Sequence, residues 1–241
     1  MRIAVLSDIH GNLEALNEVL ADLDRRGVDR TISLGDNVGY GPEPEAVVRT
    51  LRERDIPSVM GNHEWALGRP ENLDWFNPTA REALVRTEAL MSEASLSFCR
   101  SLPASLTLEG CRFVHGIPPD DVITYLFQAD AVDLERTLTA MEEETCFVGH
   151  THELLLVELG TRGIEVERLG EGRRALEGEG CRLINAGSVG QPRDGDNRAK
   201  YVIWDTEPRV LEVRFVSYDI RRTAEGIVAA GIPEIYADRL W

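Results

Sequence analysis

Apolar residues fall into short runs early in the chain, and each run ends in a small cluster of polar residues. Arg2-Ile3-Ala4-Val5-Leu6 is β-prone and bounded by polar residues, which predicts a buried strand closing on Ser7-Asp8-Ile9-His10-Gly11-Asn12. Leu13, Leu16, Val19, Leu20 and Leu23 then recur at helical spacing, with Asn12 as the expected N-cap. Residues 30–34 predict a second strand, ending in Gly35-Asp36-Asn37-Val38-Gly39-Tyr40-Gly41. A helix opens near Pro44, with Glu43 and Glu45 at its start and Arg49 and Arg52 towards its end, a polarity that suits the helix dipole. Residues 56–60 predict a third strand, closing on Gly61-Asn62-His63-Glu64. Strand–helix units in succession predict an α/β arrangement with strand ends gathered on one edge.

Residues 66–78 lack a period and carry Gly68, Pro70 and Pro78, so a loop is expected there. A long helix is expected over 79–98, with Ala80, Ala83, Leu84, Leu90, Met91, Ala94 and Phe98 on one stripe. Residues 106–108 and 111–114 flank Glu109-Gly110 as a hairpin that runs into His115-Gly116. A short helix over 134–141 precedes a strand at 145–148, which runs into Gly149-His150-Thr151-His152. Strand-like runs follow at 154–158, 164–169, 182–185, 201–204 and 211–216, then a helix at about 219–230. No linker divides the chain. The expectation is one domain over 1–241, an α/β (α+β) fold of two mainly β halves packed face to face with helices outside, carrying a helical insertion at about 66–101.

Composition narrows the partners. A chain of 241 residues can bury a sizeable core, and 43% hydrophobic with 28% charged residues is ordinary for a globular protein. With 42 acidic against 26 basic residues, a net charge of −16 argues against broad binding to nucleic acid or anionic membranes. A small phosphate ester stays compatible, because a metal site reverses the local field. No apolar run reaches the length of a membrane span, and no signal peptide is expected ahead of the first strand. Cys99, Cys111, Cys146 and Cys181 form no C-x-x-C pair, so reduced thiols and a cytoplasmic location are expected.

The five histidines carry the chemistry: His10, His63, His115, His150 and His152 all fall in or beside a turn that ends a predicted strand. Structural histidines have no reason to gather there, whereas metal-binding or acid–base histidines do, since such loops hold chemistry on a rigid scaffold. Asp8, Asp36 and Asn62 occupy equivalent positions. Asp8 and His10, two apart in extended chain, would project to one side, where a carboxylate and an imidazole suit a divalent metal.

In that order, Asp8-Ile9-His10, Gly35-Asp36, Gly61-Asn62-His63-Glu64, His115 and Gly149-His150-Thr151-His152 resemble the signature of the calcineurin-like metallophosphoesterases. The motifs cover residues 1–155, and the later strands fit that family's second sheet. The resemblance implies a four-layer αββα sandwich of two mixed sheets. It also implies a dinuclear site, with Asp8, His10, Asp36 and His152 on one ion and Asp36, Asn62, His115 and His150 on the other. Asp36 would bridge, and a metal-bridging hydroxide would attack the phosphorus. Such nitrogen and oxygen donors suit two divalent transition-metal ions, Mn²⁺ first, with Fe, Zn²⁺ or Ni²⁺ as alternatives.

By the same resemblance His63 is catalytic, contacting the phosphoryl group or protonating the leaving oxygen. Asn12 would touch phosphate or simply cap its helix. Gly187-Ser188-Val189-Gly190-Gln191-Pro192-Arg193 is similar to a loop in the compact prokaryotic members grouped with diadenosine-tetraphosphate hydrolases, which makes Arg193 a substrate-binding candidate. Tyr40, Trp65 and Tyr125 would line a pocket or pack. Protein phosphatases of the superfamily read Gly-Asp-x-Val-Asp-Arg-Gly where this chain has Gly39 and Tyr40, so the carboxylate that would orient His63 is missing. The expected substrate is a small, nucleotide-like phosphodiester or phosphomonoester, with nucleic acid and membrane not expected and homo-oligomerisation open. A non-catalytic scaffold, as in the retromer subunit of this fold, and a nuclease are the alternatives.

Overall fold

A computed structural model describes residues 1–160, 163–176, 178 and 180–241. The strands are β1 (Arg2–Leu6), β2 (Arg30–Ser33), β3 (Ser105–Leu108), β4 (Cys111–Val114), β5 (Thr145–Val148), β6 (Leu154–Gly160), β7 (Gly163–Arg168), β8 (Gly172–Ala175), β9 (Arg182–Ala186), β10 (Ala199–Asp205) and β11 (Val210–Val216). The α-helices are α1 (Leu13–Asp24), α2 (Pro44–Glu53), α3 (Asn62–Ala66), α4 (Pro70–Leu73), α5 (Pro78–Ala89), α6 (Glu93–Arg100), α7 (Ala131–Ala140), α8 (Ile220–Ala229) and α9 (Ile235–Asp238).

One sheet has the order β2-β1-β10-β11-β8 and the other β3-β4-β5-β9-β6-β7. Both are mixed: β1 runs parallel to β2 and antiparallel to β10, while β5 runs parallel to β4 and β9. Alternation along the strands builds the layers. Ile3 and Val5 of β1 face Phe113, Phe147, Val202 and Trp204 between the sheets. Ala4 and Leu6 face Leu16, Val19 and Leu20 of α1 on the outside. In β5, Phe147 joins the central core, and Cys146 and Val148 meet Leu134 and Leu138 of α7. The result is the expected four-layer αββα sandwich. A further cluster around Val38, Leu84, Leu96, Ile227 and Tyr236 packs α5, α6, α8 and α9 beside the loops that follow β2.

Local expectations fail where tertiary contacts redirect the backbone. Residues 56–60 form no strand but a single bridge, Ser33 to Ser58. Pro57 has no N–H to give, and the Met60 N–H is drawn away to the Pro103 carbonyl at 2.7 Å. The helix expected over 79–98 is two helices, because Ser92 caps α6 through the Ser95 N–H and donates its own N–H to Glu45 of α2 at 2.9 Å. Within the expected loop at 66–78 lies the single turn α4, started by Pro70. Edge strand β8, with the sequence GRRA, carries no alternation and forms only by pairing with β11.

Asp22, buried on α1, ties that helix to the sheet: its carboxylate accepts from the Tyr201 hydroxyl at 2.7 Å, Arg214 Nε at 3.2 Å and Arg26 Nε at 3.3 Å. Burial raises its pKa, but these donors override it and hold the carboxyl at about 2. The folded pKa lies below the unfolded one, so this stabilisation is complete above about pH 4 and disappears as pH falls towards 2. Asp22→Asn is expected to cost about 1–3 kcal/mol in urea melts at pH 7, the range for hydrogen bonds to a charged group. The deficit shrinks between pH ~4 and ~2; a deficit constant across that window would contradict the ionic account.

Candidate metal centre

The loops after β1, β2, β4 and β5 meet at one edge of the sandwich, together with the start of α3. The β1 and β2 loops continue the ladder past the strands: the Asp8, His10 and Gly11 N–H groups donate to the carbonyls of Gly35, Asp36 and Asn37 at 3.1, 2.8 and 2.8 Å. Asp8 and His10 are not in extended chain, contrary to expectation; φ is +52° and +50°. Asp36, His150 and His152 share this left-handed backbone, at +50°, +68° and +61°. Strain at five candidate ligands marks a site whose side chains are aimed by the fold against local preference. Gly35, with φ of +90°, lies so close to Gly61 that a Cβ would strike its backbone, and this contact lets the Asp36 and Asn62 loops touch.

All seven predicted ligands and His63 are buried and come together. His152 Nε2 is 3.2 Å from Asp8 Oδ1 and 3.1 Å from His10 Nε2. His115 Nε2 is 3.1 Å from both Asn62 Oδ1 and His150 Nδ1. Between the two groups lies Asp36, whose Oδ2 is 3.3 Å from His115 Nε2 and 3.8 Å from His10 Nε2. The outer ring nitrogens are spoken for by backbone carbonyls. His10, His115 and His152 use Nδ1 on Val38, Leu34 and Gln191, and His150 uses Nε2 on Ile123. As donors to those carbonyls, the imidazoles turn lone pairs towards each other in two pairs, each 3.1 Å apart. Two lone pairs facing at that distance, beside two buried carboxylates with no arginine or lysine paired to them among the described residues, fit cations. Asp8 Oδ1 also makes no hydrogen bond of good geometry.

Residues 1–209 match the calcineurin-like phosphoesterase superfamily domain. The chain belongs to that superfamily. It is 38% identical to the uncharacterized protein MJ0912 of Methanocaldococcus jannaschii, an alignment covering 99% of this chain and 97% of that one. A metallophosphoesterase from Sphaerobacter thermophilus shares 37% identity and superposes with a TM-score of 0.86, over 100% of this chain and 98% of the other. The hypothetical protein PH1004 from Pyrococcus horikoshii has the same fold at 20% identity, with a TM-score of 0.81 and coverage of 100% and 97%.

Calcineurin-like phosphoesterases bind divalent metals, and the electrostatics of this cluster suit that. Burial alone would raise the Asp8 and Asp36 pKa values, yet His152 beside Asp8 and His115 beside Asp36 hold both carboxyls low. Burial pushes His150 down to about 3 and also lowers His10, so both stay neutral and keep their lone pairs. Burial also works on His115, but Asp36 overcomes it and raises His115 to about 9, so a metal ion there competes with a proton.

Asn12 and Trp65 take the capping and packing roles that stood beside the substrate roles for each. Asn12 is buried: its side-chain oxygen accepts from the Ala15 N–H and Thr223 hydroxyl, and its amide donates to the Gly190 carbonyl at 2.9 Å. It caps α1 and fastens the 187–193 loop. Trp65 packs into the helical cluster and does not line the cavity beside the metal centre. Glu64, part of the quoted motif but given no role, proves central. Its carboxylate accepts from the N–H groups of Asp36, Asn37 and Gly61 at 2.8, 2.8 and 2.9 Å, stapling one ligand loop to another. Burial and the nearby Asp36 push its pKa up to about 7 against those three donors.

Glu64→Ala is therefore expected to lower metal affinity by about 10–100-fold, the effect of losing a partner that orients ligands. Competition with a fluorescent chelator measures it, and unchanged affinity would show that the loops hold themselves.

Proposed function

We propose that this protein hydrolyses small, nucleotide-like phosphate esters, diesters or monoesters, at a pair of divalent transition-metal ions, Mn²⁺ first among the candidates. The observation that carries the reading is the place of Asp36. One carboxylate lies between the Asp8–His10–His152 group and the Asn62–His115–His150 group, as a shared ligand must. When bound, such a pair supplies Lewis acidity and a water acidic enough to attack phosphorus near neutral pH.

His63 is the side chain left for the substrate. Unlike the other four histidines it donates to no carbonyl among the described residues, and its buried Nδ1 has no partner there. Its Nε2 faces the Asp36 carboxylate at 3.9 Å, and burial lowers its pKa to about 4 despite that neighbour. Aromatic packing holds the ring: Tyr40 and Phe76 meet it edge-on at 4.4 and 5.4 Å. A Cβ on Gly39 would fall on the His63 imidazole, so an aspartate cannot stand here as in the protein phosphatases. That supports a small ester over a phosphoprotein as substrate. Convergence of every candidate ligand with His63 likewise favours an enzyme over a scaffold, and the acidic chain disfavours a nuclease.

Protein stripped of metal and reconstituted with Mn²⁺ is expected to hold two ions per chain by elemental analysis, one on each side of Asp36. A saturating value of one would remove the dinuclear reading. With metal content intact, His63→Ala is expected to lose ~10²–10⁴-fold on a nucleotide diester, the range for general acid catalysis. The loss should be smaller on a nitrophenyl ester, whose leaving group hardly needs a proton. Equal losses on both would move His63 from the leaving oxygen to the phosphoryl oxygens.

A further inference from the structure

Residues of the loop after β9 and of the C-terminal segment around α9 line a cavity of about 460 Å³ beside the metal centre. Tyr40, Tyr125, Gln191, Arg193, Tyr236 and Arg239 line it. Its floor is joined to the candidate ligands: Tyr125 stacks on His150 at 3.7 Å, Tyr40 packs on His10 at 4.6 Å, and the Gln191 carbonyl accepts from His152.

The charge of the cavity runs against that of the chain. The acidic neighbours of Arg193 in sequence are already taken, Asp194 by Lys200 at 2.8 Å and Asp196 by Arg198 at 2.6 Å. Neither Arg193 nor Arg239 pairs with a carboxylate among the described residues. Arg193 donates to Gln191 Oε1 at 3.3 Å, and the Arg239 guanidinium lies over the Tyr236 ring at 5.1 Å. Arg193 lines the same cavity as the Tyr40, Tyr125 and Tyr236 rings. Tyr236 is fixed in turn by stacking on Tyr40 at 4.2 Å, so α9 carries Arg239 to the cavity on a rigid support.

We infer that Arg193 and Arg239 form a second anion subsite, which holds a further phosphate of the substrate while the scissile ester lies at the metal centre. Planar guanidinium groups bind phosphate oxygens in pairs. The favoured substrate class is then an organic phosphate with at least two phosphates, an assignment that rests on the phosphoesterase reading above.

Calorimetric titration of the metal-loaded protein with adenosine 5′-monophosphate and with α,β-methylene adenosine 5′-diphosphate tests it. The diphosphate is expected to bind tighter. Arg193→Ala and Arg239→Ala should each weaken it by ~10-fold, the order of one lost charge-assisted contact, and shrink its advantage over the monophosphate. Arg239→Lys should recover part of the loss, because charge returns without the planar fork. Equal weakening of both ligands, or no weakening of the diphosphate, would overturn the subsite. If the affinity pattern holds but no phosphate ester is turned over, the subsite stands and the phosphoesterase reading fails.

Discussion

Asp36 is the pivot of this molecule. Its carboxylate is buried between two groups of imidazoles, with one oxygen fixed by the His63 N–H at 2.9 Å and the other facing His10 and His115. Such a group is unfavourable in a low-dielectric interior unless cationic partners surround it. Among the described residues none comes from lysine or arginine. The fold supplies instead lone pairs that converge on the same space, and that is an arrangement for holding cations.

Much of the surrounding architecture serves to keep those lone pairs aimed. Each of His10, His115, His150 and His152 spends its outer nitrogen on a backbone carbonyl, which fixes tautomer and ring orientation together. Glu64 staples the Asp36 loop to the Asn62 turn, and the His150 N–H donates to Asp8 Oδ2 at 3.0 Å, linking the loops of the two sheets. These bonds offset the left-handed backbone at Asp8, His10, Asp36, His150 and His152. His63 stands apart from this scheme, held by aromatic faces, and so remains available to a substrate.

A negative chain and a phosphate substrate are compatible on this view because the field is set locally. Exposed acids are matched by arginines on the surface, as Asp24 by Arg54 and Asp74 by Arg81. The cavity beside the centre carries Arg193 on the 187–193 loop and Arg239 just after α9.

Much of the site is legible in the sequence. The apolar runs at β1, β2, β4 and β5 define buried strands by composition alone, and the polar residues that follow them stand at strand ends wherever the strands pair. That is why Asp8, His10, Asp36, His115, His150 and His152 can be picked out before any contact is known. Local pattern does not say how those loops bend, and the extended geometry expected for Asp8 and His10 gives way to left-handed backbone set by neighbouring loops. The strand expected at 56–60 and the single helix over 79–98 fail for the same reason, since Pro103 and Glu45 compete for their backbone donors from far along the chain. Glu64 and Tyr236 have no sequence signal of their function, because each acts on a residue remote in the chain, Asp36 and Tyr40. The sequence by itself determined which side chains reach the edge of the sandwich; the tertiary structure decided their distances, their tautomers and what lies beside them, because those depend on contacts between segments that no local periodicity encodes.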